Sequence, residues 1–240
     1  MDTSTSASAS GFQNVIDVIL SPKSAFERLR TAPTWGWAFI ISIVLGAVGS
    51  YVIMPAVAHA IAASWPAMVA ADPRLAAMTP EQQQSGLQVT LTVLRFAWLA
   101  AFITVPLGVL LATVVMLIFK AIGRGSASFA SLWAASANIA VPTIGLSYVV
   151  LAIVVLLRGV QSFNSSISVS EALPSLALLA PSAGVKLATF LATINVFQVW
   201  GAVLIYLAMR TTAKVGAVPA ALAAIILPLV GALLAAAGAR

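Results

Sequence analysis

The sequence predicts an all-α integral membrane protein, a compact bundle of five transmembrane helices preceded by an N-terminal amphipathic helical hairpin. Three observations predict it. Only 8% of the 240 residues are charged and 61% are hydrophobic, whereas soluble domains carry roughly 25% charged residues. Apolar runs of the length a bilayer requires, about 20 residues, recur along the chain with basic residues beside them. The runs are continuous rather than alternating, which excludes a β-barrel. The formal charge of +6 therefore reads as a membrane signal and not a nucleic-acid one. The chain has no cysteine, so disulfides, thiolate chemistry and Fe–S clusters are excluded.

Residues 1–11, MDTSTSASASG, are small and polar with no basic stretch, and read as a disordered tail rather than a cleavable signal peptide. Residues 12–34 read as amphipathic helices on the cytoplasmic face. Phe12, Val15, Ile16, Ile19 and Leu20 share one helical face, with Gln13, Asn14 and Asp17 opposite, as in a helix lying in the membrane plane. Ser21 is placed to cap a second helix with Pro22 at its first position. On that helix Ala25, Phe26 and Leu29 gather on one side and Lys23, Glu27 and Arg30 on the other. Pro33 ends it, and Trp35 and Trp37 suit the interfacial aromatic belt.

Residues 35–240 form the membrane domain, with spans expected at 36–59, 96–119, 130–157, 187–208 and 217–237. Pro142 should kink the third. Pro219 and Pro228 interrupt the fifth, which could instead be re-entrant. Ser42, Gly46 and Ser50 make a small-residue stripe on the first that permits close helix contact, within the bundle or between copies. In the outer loops, Thr79 with Gln82 and Ser168 with Glu171 have capping-box spacing. LPSLALLAP is too short to span and reads as interfacial or buried. With the N-terminus inside, Lys23, Arg28, Arg30, Lys120, Arg124, Arg210 and Lys214 lie in the cytoplasm. Arg74, Arg95, Arg158, Lys186 and Arg240 lie outside, seven against five, so the C-terminus is expected outside.

Three stretches carry a family resemblance. LSPKSAFERLRTAPTWGWAF leads straight into the first span; ASFASLWAASANIAVPTIGLSY covers the third, and TINVFQVWGAVLIYLAMRTTAKV the fourth. In their order and spacing they resemble bacterial Yip1-domain proteins, from residue 12 to about 216. The resemblance implies a bundle of about five spans in a membrane, here the bacterial inner membrane. The Asp-Leu-Tyr-Gly-Pro type of motif of eukaryotic members is missing, and the small-GTPase binding linked with them is not carried over.

Reactive groups are scarce. Asp2, Asp17, Glu27, Asp72, Glu81 and Glu171 all fall outside the span cores, which argues against a carboxylate relay. His59, the sole histidine, has neither cysteine nor a second histidine to build a zinc site. There is no P-loop pattern. No enzyme activity and no cofactor are expected. Trp133 and Trp200 suit packing or the belt.

Two readings of function remain. In the first, a non-enzymatic protein acts through protein–protein interaction or membrane organisation. Lys23, Glu27, Arg28 and Arg30 are its candidate partner-docking face. Its partners would be anionic headgroups of the bilayer, a cytoplasmic or membrane protein, or a second copy. The alternative is a small transporter, channel or lipid-moving protein, with Asn138, Pro142, Asn195 and Gln198 as an intramembrane polar site between spans three and four. Those amides serve equally as hydrogen bonds between helices.

Overall fold

The structure, a computed structural model, describes residues 3–165, 168–180 and 182–238; the side chains of residues 3–10 and Ser170 are not described. All regular elements among the described residues are helical. Helix α1, Thr3–Leu20, takes in most of the segment expected as a polar tail. Alanine and serine there tolerate helix, and the helix register simply continues N-terminally. The apolar face expected to meet the membrane is only partly covered by the protein. Val15, Val18 and Asn14 are buried, whereas Phe12, Ile16 and Leu20 are exposed.

Helix α2, Pro22–Thr31, follows with Pro22 in its first turn. Ser21 precedes it but makes no side-chain cap bond; its φ of −145° and ψ of 60° carry the hydroxyl away from the first amides. Ala25, Phe26 and Leu29 are fully buried. Four residues then lead into α3, Gly36–Ala71. At 36 residues it extends well past the expected span. Alanine-rich sequence without a charge favours continuation, and Pro55 and Pro66 are accommodated within it. The helix stops at Asp72, whose side chain caps the short α4, Pro73–Ala76, by accepting from the Arg74 amide at 2.9 Å.

Helix α5, Pro80–Leu94, opens with the expected capping box. Thr79 Oγ1 accepts the Gln82 amide, and Gln82 Oε1 accepts the Thr79 amide. Glu81 in its first turn is held below the usual carboxylate range, chiefly by its own backbone N–H and then by the Thr79 hydroxyl. The other expected box is not made: Ser168 bonds Ser165 instead, and the short 3-10 turn nearby starts at Ser170.

A 3-10 turn, Ala97–Ala100, leads into α6, Ala101–Ile122. The third span comprises α7, Phe129–Ala140, a π-helical turn, Val141–Leu146, and α8, Ser147–Arg158. The π turn is where the kink at Pro142 was expected, and a proline without N–H is a physical cause for it. The carbonyl of Asn138, which a regular helix would pair with residue 142, accepts from the Val141 amide instead. Thr143 Oγ1 donates to Ile139 O at 2.8 Å, and Ser147 Oγ donates to Thr143 O and Ile144 O, so hydroxyls cover the disturbed carbonyls. Helix α8 ends at Gly159, whose φ of +79° suits glycine.

The expected fourth span is not one helix. It divides into α9, Val185–Thr193, and α10, Val196–Thr211. Asn195 is the reason for the break: its Oδ1 accepts the amides of Phe197 and Gln198, capping α10. The outer loop pairs with the broken backbone, Leu176 N–H donating to Ile194 O and Val196 N–H to Pro174 O. Helix α11, Ala217–Gly238, is continuous despite Pro228. Pro219 falls in its first turn, where a proline displaces no helical bond.

Four segments are long and apolar enough to cross a membrane: α3, Ala97–Ile122, Phe129–Arg158 and α11. At 16 residues, α10 is shorter, about 24 Å. The small-residue stripe of α3 packs within the bundle. Gly46 faces Ala101, Val105 and Ile144, and Gly145 lies against Ser42 and Leu45. Among the glycines of α3, Gly49, beside the stripe, makes the tightest approach, to Cβ and the backbone of Tyr148. Apolar residues such as Ile103, Leu157 and Val218 stay exposed on the outside, as a lipid-facing surface requires.

Candidate functional site

At the end that carries α2, the main core cluster joins Phe26 and Leu29 to Met116, Leu132, Leu204 and Met209. Helix α2 is also held by its backbone. Thr212, fully buried, donates to Phe26 O at 2.8 Å, and Ser131 donates to Arg30 O at 3.1 Å. Side chains of the bundle thus reach carbonyls of α2 from α7 and from the residue that follows α10. The turns after α6 and α10 close beneath it, where Ser126 N–H donates to Ala213 O and Arg210 donates to Val215 O at 2.7 Å.

A polar chain fastens α1 to the same end. Arg28 pairs with Asp17 and donates through Nε to Asn14 Oδ1 at 2.9 Å. Asn14 Nδ2 donates to Thr34 Oγ1 at 2.9 Å, and Asn138 Nδ2 donates to Thr34 O at 3.0 Å. Asn138 also donates to Ala134 O at 2.8 Å, while its Oδ1 is buried without a partner among the described residues. Trp35 sits edge-on to Phe39 and Trp133, and Trp133 stacks on Phe129. Trp133 is thus a packing residue.

Of the four residues expected on a docking face, Lys23, Glu27 and Arg30 are exposed side by side on α2. Arg28, though exposed, is engaged within the chain by Asp17 and Asn14. Of the four expected at an intramembrane site, Asn195 and Gln198 come together, while Asn138 faces the linker before α3. Pro142 lies in the buried π turn. His59 is bound structurally, its Nδ1 2.9 Å from Phe163 O.

Three cavities border Gln198; the one of about 210 Å³ is otherwise apolar, and the other two carry further polar side chains. One of about 180 Å³ is lined by Ser136, Thr143, Gln198, Gly201 and Pro228 among others. The second, about 310 Å³, is lined by Ser147, Tyr148, Thr189, Thr193, Asn195 and Gln198 with apolar neighbours. Sequence reading missed Ser147, Tyr148, Thr189 and Thr193, because serine and threonine inside helices commonly bond their own backbone. It also missed Asn14 and Thr34. The break at Asn195 had a local signal, an asparagine directly before an apolar helical run.

A multi-helix apolar bundle with an amphipathic helix docked on one end defines a polytopic membrane protein. The family model for the Yip1 domain matches residues 16–238, nearly the whole chain. The protein belongs to the Yip1-domain family. No curated protein and no solved structure matches it.

Proposed function

We propose that this Yip1-domain protein acts without catalysis, by binding other proteins or organising the membrane through the outward face of α2. One observation carries the reading. Ala25, Phe26 and Leu29 are buried and two carbonyls of α2 are bonded by the bundle, so Lys23, Glu27 and Arg30 are held outward on a fixed support. A charged surface held this way loses little conformational freedom when a partner binds. Lys120 and Arg210, in the last turns of α6 and α10, and Arg124 and Lys214, just after them, lie at the same end. Each basic residue near an anionic leaflet contributes about 1 kcal/mol.

This reading places five crossings in a bacterial inner membrane, with α9 and α10 together as the fourth. Helices α1 and α2 then form the amphipathic hairpin on the cytoplasmic face, and the C-terminus lies outside. The basic residues at the α2 end support that orientation. A transport path through Asn138, Asn195 and Gln198 has less support, because Asn138 bonds Thr34 and Ala134.

The test is photo-crosslinking from position 27 of the full chain in native membranes. A discrete adduct that disappears in the Lys23→Glu/Arg30→Glu variant, with insertion intact by carbonate extraction, is the expected result. The same adduct from the charge-reversed chain would overturn the reading.

A further inference from the structure

Two of the cavities at Gln198 gather polar side chains from four segments of the chain. Ser147 and Tyr148 come from α8, Thr189 and Thr193 from α9, Asn195 from the break and Gln198 from α10. Thr189 Oγ1 is buried without a hydrogen-bond partner. Among the described residues the side-chain amide of Gln198 has none either, only its backbone N–H being engaged by Asn195. Irregular backbone at membrane depth is tolerated where protein covers it or where it lines a polar cavity. Here the loop at 174–176 pairs with the broken backbone, and Leu173 beside it joins Asn195 in lining the larger cavity.

The cavities run inward and then stop. Asn195 heads a 16-residue helix, so it lies about 24 Å from the α2 end. Gln198 lies about one turn deeper and borders the smaller cavity, which reaches Ser136 and Thr143. About two turns beyond Gln198 on α10, Leu204 is fully buried, and Met209 about three turns beyond; with Leu132 and Met116 they belong to the cluster that packs against α2. The space is therefore blind towards the α2 end. No charged side chain lines either cavity.

We propose that this is a binding vestibule for a neutral, hydroxyl-rich group, entered from the end opposite α2. Hydroxyls and primary amides each both donate and accept, which matches a group with the same mixed character. A charged ligand would find no counter-ion there. The larger cavity, about 310 Å³, holds about ten waters or one sugar-sized group. Such a group arrives either as a free sugar or polyol or as the head of a neutral glycolipid. The inference stands apart from the docking role of α2 and uses none of its residues.

The natural chain has no cysteine, so single cysteines report accessibility directly. Thr193→Cys, Gln198→Cys and Leu204→Cys are compared in phosphatidylcholine nanodiscs, using a hydrophilic methanethiosulfonate reagent and with exposed Ala63→Cys as the open control. Thr193→Cys and Gln198→Cys should label at least about tenfold faster than Leu204→Cys, since water reaches the polar cavity and not the packed core. Glucose, or monoglucosyldiacylglycerol added to the disc, should slow labelling of Thr193→Cys about twofold at half-saturation. Ala63→Cys should be unaffected. Adding Gln198→Leu to Thr193→Cys should remove the protection while the faster labelling persists. Protection by glucose identifies a free solute, and protection by the lipid alone identifies a headgroup. Labelling of Gln198→Cys no faster than Leu204→Cys, or protection by neither probe, overturns the proposal.

Discussion

Gly49→Ala tests how closely α3 and α8 pack. A Cβ added at Gly49 would lie 2.8 Å from both Cβ and carbonyl O of Tyr148, and 2.9 Å from its carbonyl carbon. Ordinary contact begins near 3.4 Å, so one helix must retreat by about 0.6 Å. The obstacle is largely backbone, which cannot rotate away as a side-chain tip can. Overpacking of this kind costs about 2 kcal/mol. Alanine returns about 1 kcal/mol through helix propensity, leaving a net loss of about 1. Gly231→Ala is the control: nothing lies within 4 Å of its added Cβ, so only the propensity gain of about 1 kcal/mol remains. The two variants should differ by about 2 kcal/mol, about thirtyfold in the unfolding constant. SDS titration of mixed micelles, followed by tryptophan fluorescence, measures it. Gly49→Ala as stable as Gly231→Ala would refute the reasoning.

Two further outcomes follow from the same contacts. Phe26→Ala removes a fully buried ring from the main cluster and should cost about 3–5 kcal/mol. Most of that loss should appear as release of α2, so limited trypsin digestion should cut faster after Arg28 and Arg30; an unchanged rate would contradict it. Asn195→Ala removes the acceptor of the Phe197 and Gln198 amides, costing about 1 kcal/mol. Hydrogen exchange at those two amides should accelerate, and Asn195→Asp should restore protection.

The helical membrane class, the buried side of α2 and the capping box at Thr79 were legible because each is a local pattern. Apolar run length, i to i+3 spacing and a Thr-Pro-x-Gln start are all written within one element. What was not legible depends on partners distant in sequence. A helical wheel puts Asn14 with the polar residues, yet it is buried because Arg28 and Thr34, brought close by the turn at Ser21 and the linker, satisfy its amide. Hydropathy averaged over 187–208 hides the break, because the isoleucine and valine beside Asn195 keep the average apolar. The stripe at Ser42, Gly46 and Ser50 pointed to the right side of α3, but which glycine is tightest is decided by the π turn opposite.

That turn also explains why span three can serve two sites. Pro142 removes one backbone donor, and Thr143 and Ser147 bond the neighbouring carbonyls with their hydroxyls. The wider turn brings Thr143 against Gly201 of α10 and Tyr148 against Gly49 of α3, contacts that a side chain at either glycine would block. Before the turn, α7 directs Ser131 and Asn138 to the N-terminal helices and their linker. After it, α8 contributes Ser147 and Tyr148 to the vestibule. Two small residues on neighbouring helices therefore allow one proline-containing span to hold the docked α2 at one end and a polar cavity at the other.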